Sequence, residues 1–350
     1  MRSITPPLRS RLVRGIAACL AGMAILTGCV TAEPLQNQAE QIGPDYFKTG
    51  SYSHVIRDTV WRDEDRNRDI AVKLYVPERS DPAPVIVFSH GLGGSTGAAP
   101  YFGRHLASWG FLSVHIQHPG SDAKVWRGLQ GRRAIIAALK DAASDPQTSI
   151  NRYNDLPFVL DQIVLRTDAG ELNADTSKIG MAGHSFGAHS VLAAAGRTYT
   201  TPSGAIRFNE PRIKAAVALS PPAPGRQDSP DSYDTVYGGI SIPILHMTGT
   251  EDTSPLVRDQ DPTSRETPFQ QIDGAPQYLV VFDGADHGVF GGQRMGRRSP
   301  AYYPDVQEKV AGASTAFFAA HLGIDGRAQI WLDGPGFLTA FSEYDRVERR

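Results

Sequence analysis

Residues 178–190 read KIGMAGHSFGAHS. The segment begins as a short apolar run and turns through Gly183-His184-Ser185-Phe186-Gly187. It resumes in small apolar residues. That texture predicts a strand bending sharply into a helix, the context in which G-x-S-x-G carries information. In so tight a turn the middle residue is held in a strained backbone conformation. Its neighbours must be nearly bare, because strand and helix crowd one another, and Gly183, Gly187 and Ala188 meet that need. Ser185 Oγ would then project from the carboxyl edge of a sheet, beside a helix N-terminus that favours developing negative charge. The bland alternative is a glycine-rich turn with an incidental serine.

Outward from this segment the same texture recurs. PVIVFSH (84–90), FLSVHIQH (111–118), IKAAVALS (213–220), IPILHMTG (242–249) and QYLVVFDG (277–284) are nearly continuous apolar runs. Such runs are typical of strands buried on both faces of a parallel sheet. HVIRDTVW (54–61) and RDIAVKLYVP (68–77) alternate instead and are joined by a charged turn, so they predict an antiparallel hairpin at the sheet edge. Helical stretches at 98–109, 155–167, 185–196 and 304–321 separate the runs. Strands alternating with helices give an α/β class with a mostly parallel central sheet of about eight strands, flanked by helices. Residues 120–150, with a glycine-interrupted helix, and the Pro/Gly/Asp-rich 221–240 and 254–276 read as insertions over the strand ends. Residues 323–350 form an extension that the pattern does not place.

A serine hydroxyl is a weak nucleophile without a base. The loop after the last long run, in YLVVFDGADHGVF (278–290), offers His287. The end of the preceding run, in IPILHMTGTEDTSP (242–255), offers Glu251 and Asp252. Asp252 is preferred because a few residues of turn after Gly249 let its carboxylate reach back toward His287. The order Ser185, Asp252, His287 is the one this type of site uses. Asp283 and Asp286 read as turn formers, and His184 and His189 as packing or surface groups. His115, His118 and His246 read as core histidines.

A serine mechanism also needs donors where a carbonyl oxygen becomes negative. FSHGLGGSTG (88–97) supplies glycines that let backbone N–H groups approach a substrate. The N–H groups of Leu92 and Phe186 are the candidates for an oxyanion hole. A phosphate loop is excluded by the lack of G-K-[ST] and of G-x-G-x-x-G. No H-E-x-x-H or paired Cys/His spacing points to a metal, and no cofactor is expected. Trp126, Phe290 and Leu92 could line an acyl pocket or simply pack.

The first residues have a different character. Arg2, Arg9, Arg11 and Arg14 precede the apolar run 15–28, which is too short for a comfortable membrane span and ends in Leu26-Thr27-Gly28-Cys29. That tetrapeptide resembles the lipobox of bacterial lipoproteins, which implies export and lipidation at Cys29. An ordinary secretory signal is the alternative. The organisation expected is a leader at 1–28, a tether at 29–50, a catalytic domain at 51–322 and the extension 323–350. Cys19 would leave with the leader, so a lone Cys29 allows no internal disulfide. Cleavage would remove four arginines and no acid, moving the net charge from −2 to −6. That balance argues against a nucleic-acid partner and for a body on a tether at a bacterial membrane. Oligomeric state cannot be read from the sequence.

Together FSHGLGGS (88–95), YFGRHLASWGFLSVHIQHPGS (101–121) and GHSFGAHS (183–190) resemble the α/β-hydrolase superfamily over roughly residues 50–322. Within it they resemble the platelet-activating-factor acetylhydrolase group and related bacterial dienelactone hydrolases. The resemblance implies an α/β-hydrolase fold and hydrolysis of short or oxidised acyl esters without a metal. It maps the catalytic roles onto Ser185, Asp252 and His287 and the oxyanion donors onto Leu92 and Phe186. True dienelactone hydrolases use a cysteine nucleophile, and position 185 is serine. A small ester or lipid is thus the expected substrate. Amide or peptide cleavage by the same residues, and a binding protein on an inactive scaffold, are the alternatives.

Overall fold

The computed structural model describes residues 45–201, 204–222, 232–254, 256–257, 260–293 and 302–350. The proposed leader, Cys29 and most of the tether lie outside the described residues. So do parts of the 221–240 and 254–276 insertions.

The apolar runs become strands because their side chains alternate between two buried faces. In β3 (Ala83–Ser89) all seven residues are buried. Ile86 and Phe88 pack into one core and Val85 and Val87 into the other. The remaining strands are β1 (His54–Asp63), β2 (Arg68–Pro77), β4 (Leu112–Ile116), β5 (Ala174–His184), β6 (Thr198–Thr201), β7 (Gly204–Arg207), β8 (Ile213–Leu219), β9 (Ile244–Glu251), β10 (Gln277–Asp286) and β11 (Arg346–Arg349). The main sheet runs β1-β2-β4-β3-β5-β8-β9-β10-β11. It is parallel from β4 through β10, with the β1–β2 hairpin at one edge and β11 antiparallel at the other. β6 and β7 form a separate two-stranded ribbon.

The helices are α1 (Pro100–Ser108), α2 (Arg132–Ser144), α3 (Pro146–Asp168), α4 (Phe186–Ala195), α5 (Tyr233–Tyr237), α6 (Thr267–Gln271), α7 (His287–Phe290), α8 (Tyr302–His321), α9 (Gly326–Asp333) and α10 (Pro335–Thr339). α1 and α8 to α10 bury their apolar sides in the core that holds Phe88. α3 and α4 fill the opposite core. A sheet covered on both faces follows from two-sided apolar strands, which expose no face to water.

The sheet has nine strands where about eight were expected. The ninth, β11, comes from the 323–350 segment, whose charged four residues Arg346–Arg349 pair with Tyr278–Val281. So short and polar a strand has no apolar signature of its own. The glycine-interrupted helix of 120–150 divides at Asp145, whose side chain caps α3 by accepting from the Gln147 N–H. α2 stands apart from the other long helices, since none of its residues is fully buried.

Candidate active site

The site is built at the carboxyl ends of β3, β5, β8, β9 and β10. β5 ends at His184 and α4 begins at Phe186, so one residue makes the whole turn. That residue, Ser185, has φ 56° and ψ −114°, a strained geometry for a residue with a side chain. The crossing is possible only without side chains beside it. A Cβ on Gly187 would lie 1.8 Å from the Ser89 carbonyl oxygen, and one on Gly183 would lie 2.4 Å from the Gly187 carbonyl oxygen. The turn is tied to the next strand by Ser185 N–H, which donates to Leu219 O at 2.9 Å.

The structure brings together the three side chains that the sequence nominates. His287 Nε2 is 2.9 Å from Ser185 Oγ, and His287 Nδ1 is 2.7 Å from Asp252 Oδ1. Asp252 is fully buried, while neighbouring Glu251 is exposed. Ser220 and Thr248 hydroxyls donate to the two carboxylate oxygens at 2.9 and 2.8 Å, and Arg265 Nε lies 2.9 Å from Oδ1. Burial pushes the Asp252 pKa up. The hydrogen bond from His287 and the charge of Arg265 outweigh it and bring the carboxyl down to about 2. The aspartate is therefore ionised at neutral pH. It fixes the imidazole with a proton on Nδ1 and leaves Nε2 free to accept from Ser185.

Neighbouring groups hold this line in place. Asp286 caps the short α7, accepting from the N–H groups of Gly288 and Val289 at 2.8 and 3.1 Å, and so sets where His287 starts. Tyr303 donates to the other Asp286 oxygen at 2.7 Å. His184 is buried, and burial above all pushes its pKa down to about 3. Being neutral, it can donate from Nε2 to the His287 carbonyl at 2.8 Å. The rings of four other histidines are engaged elsewhere. His118 bridges Ser89 and Asp155, His189 meets Tyr153, His246 meets Gln277 and His115 meets the Ala98 carbonyl. Asp283 supplies its carbonyl to Tyr302.

The loop after β3 lies against the turn. A Cβ on Gly91 would sit 3.4 Å from Ser185 Cβ and 3.1 Å from His184 Nδ1, so the loop is packed closely on the turn. Gly94 N–H donates to Gly91 O at 3.0 Å and Gly93 N–H to Ser121 O at 2.8 Å. Among the described residues the N–H groups of Leu92 and Phe186 donate to no protein acceptor. Two free donors therefore flank Ser185, Phe186 at the first turn of a helix and Leu92 in the loop.

A cavity of about 520 Å³ opens over Ser185 and His287. Leu92 and Trp126 line it, as do Ile135, Ile136 and Leu139 of α2 and Leu256. Phe290 is wholly inside the core and does not. Trp126 Nε1 donates to Gly93 O at 2.8 Å, so the roof rests on the β3 loop. A second cavity, of about 440 Å³ and lined by Phe47, Tyr101 and His105, shares no residue with the first. Among the described residues no group of three or more His, Cys, Asp or Glu could hold a metal ion.

Sequence reasoning missed several members of the site. Ser220 ends an apolar run and has φ 53°, a position with no motif to mark it. Arg265 comes from the Pro/Asp-rich insertion, where periodicity says nothing about burial. The apolar stripe of α2 could have flagged the roof, since its isoleucines and leucine need an apolar neighbour.

The comparisons with known proteins agree on the fold. A family model described as platelet-activating factor acetylhydrolase, isoform II, matches residues 69–132, the stretch from β2 through the β3 loop to the start of α2. A solved structure from Klebsiella pneumoniae subsp. pneumoniae, provisionally described as a dienelactone hydrolase, superposes with a TM-score of 0.55 at 18% identity. The match covers 76% of this chain and 99% of that one. No curated protein is similar enough to count as a match. The chain has the α/β-hydrolase fold, of the kind seen in dienelactone hydrolases.

Proposed function

We propose that this chain is a serine hydrolase that cleaves carboxylic esters through an acyl-enzyme. The single observation that carries the reading is the continuous line Ser185 Oγ to His287 Nε2 at 2.9 Å and His287 Nδ1 to Asp252 at 2.7 Å. Ser185 Oγ attacks the ester carbonyl as its proton passes to His287 Nε2. The oxygen that becomes negative is held by the N–H groups of Leu92 and Phe186. The carbon–oxygen bond to the alcohol breaks as His287 returns the proton to the departing oxygen. A water molecule then gives a proton to His287 and attacks the acyl carbon. The acid leaves and Ser185 regains its hydrogen. Asp252 stabilises the imidazolium in both halves.

The substrate reading is a short-chain acyl ester of the kind cleaved by acetylhydrolases, with the acyl group under α2. The partial family match and the apolar lining of the cavity support it. The leader and Cys29 suit an exported, lipid-anchored enzyme of a bacterial envelope, with the folded body on a tether. A panel of p-nitrophenyl esters of increasing chain length, with an acetylated phospholipid and a matched anilide, tests the reading. Turnover should be highest for short acyl esters and at least 100-fold lower for the anilide (about 2.7 kcal/mol in barrier). No hydrolysis of any ester would refute it.

A further inference from the structure

Arg152 of α3 is 1% exposed, in the layer behind the β3 loop and the Ser185 turn. Its guanidinium spends its donors on neutral groups. Nη2 donates to Ser89 Oγ at 2.9 Å and to His90 O at 2.5 Å, Nη1 to Ser121 Oγ at 2.8 Å and Nε to Ser190 Oγ at 3.3 Å. Its central carbon stands 4.6 Å from the centre of the Phe186 ring. Among the described residues it forms no ion pair, and the nearby Asp155 carboxylate is held instead by Arg66, Arg68 and His118. Burial pulls the Arg152 pKa down to about 9, with Asp155 opposing, so the group stays charged at neutral pH.

A buried cation without a carboxylate is costly, by several kcal/mol after relaxation. What it contacts shows what that cost secures. His90 O lies two residues before Leu92. Ser121 carries the carbonyl that takes the Gly93 N–H, one residue after Leu92. Ser190 Oγ donates to Phe186 O at 3.3 Å, and the Phe186 ring covers the cation. One side chain thus clamps both sides of Leu92 and the residue that carries the second free N–H. Its positive charge sits against the Phe186 ring and the His90 carbonyl, in contact with both segments that carry the free donors.

We infer that Arg152 is the positioning residue of the oxyanion hole: its guanidinium fixes the Leu92 and Phe186 N–H groups at their working separation and adds a permanent positive potential near them. This rests on the serine-hydrolase reading. It assigns Arg152 no contact with substrate and no proton transfer.

The test compares Arg152→Met, Arg152→Lys and Ser121→Ala with the wild type on one p-nitrophenyl ester. Rates are normalised to sites titrated with a fluorophosphonate, so that unfolded protein does not count. Arg152→Met should lower kcat about 100-fold, the scale of one lost oxyanion donor, with KM within about twofold. Arg152→Lys keeps the charge but not the fork and should lose about tenfold. Ser121→Ala should lose less than either. Affinity for a boronic acid, whose serine adduct is anionic and tetrahedral, should fall in step with kcat, while affinity for the product acid should not. If Arg152→Met does not fold, Arg152→Lys and Ser121→Ala read the same quantity. Wild-type kcat per titrated site in the variants, or a rise in KM with kcat unchanged, would overturn the inference. A wild type that neither hydrolyses esters nor takes up the fluorophosphonate would overturn the serine-hydrolase reading and this inference with it.

Discussion

Arg265 binds Asp252 twice, with Nε 2.9 Å from the carboxylate and 2.8 Å from the same residue's carbonyl oxygen, to which it donates. The same guanidinium donates through Nη1 to the Ser220 and Pro221 carbonyls at 3.1 and 3.0 Å. The aspartate facing His287 is thereby locked from behind. Asp252→Asn has two expected effects. Loss of the negative charge and of the correct imidazole tautomer lowers kcat about 10⁴-fold. It also strands the buried Arg265 charge, lowering stability by about 3 kcal/mol. Steady-state kinetics and urea unfolding measure the two separately. Full activity in Asp252→Asn would remove the aspartate from the mechanism.

Gly187→Ala tests the turn itself. Its Cβ would come within 1.8 Å of the Ser89 carbonyl oxygen, a backbone atom that cannot swing away. The expected loss is about 3 kcal/mol, at the upper end for overpacking, with activity per folded molecule falling as well because Ser185 shifts. A soluble, fully active Gly187→Ala protein with an unchanged unfolding midpoint would show that the turn is looser than described.

Acid should destabilise the chain. Burial pushes the imidazoles of His115, His184 and His189 down to about 3 and that of His246 to about 4. The folded chain keeps them neutral, while the unfolded chain takes up protons below about pH 6.5. Their contribution is complete above that pH and is lost as pH falls toward about 4 for His246 and about 3 for the other three, each site adding up to about 1.4 kcal/mol per pH unit. The depressed Asp252 works over a lower window. Its contribution is present above the ordinary carboxylate range and is lost only as pH falls toward about 2. The thermal midpoint should therefore drop steeply between pH 6.5 and 4.5 with Asp252 still ionised. A flat midpoint over that interval would contradict the buried neutral histidines.

The roof of the cavity should set acyl length. Leu139 lines it, and its Cδ2 would be 2.9 Å from a Cβ on Gly93, so it lies directly over the β3 loop. α2 has no fully buried residue, so a larger side chain there costs little stability. Leu139→Trp should leave acetyl ester turnover within about threefold and lower kcat/KM for octanoyl esters at least tenfold, a difference of about 1.4 kcal/mol. Equal losses on both esters would take the acyl group out from under α2.

The parts of this chain that sequence makes legible are those governed by local pattern. β3 and β5 declare themselves because two-sided burial demands an unbroken apolar run, and the Ser185 turn because its crowding leaves room only for glycine. The parallel sense of the inner strands likewise follows from alternation with helices. What stayed hidden is set by distant contacts. Arg346–Arg349 becomes a strand only because β10 offers an unpaired edge. Arg152 and Arg265 look like surface cations in sequence and are 1% and 2% exposed in the fold, Arg152 held by hydroxyls and a carbonyl and Arg265 by the Asp252 carboxylate and three carbonyls, all from other segments. No periodicity marks a charge that is buried by what surrounds it.

The central claim is that Ser185 is the nucleophile, and covalent labelling tests it most directly. A fluorophosphonate should add once per chain, the adduct mapping by mass spectrometry to the peptide containing Ser185, with no adduct in Ser185→Ala and ester hydrolysis in that variant down by about 10⁶ in kcat. An unlabelled Ser185 in a chain that still hydrolyses esters, or a Ser185→Ala variant that keeps substantial turnover, would contradict it.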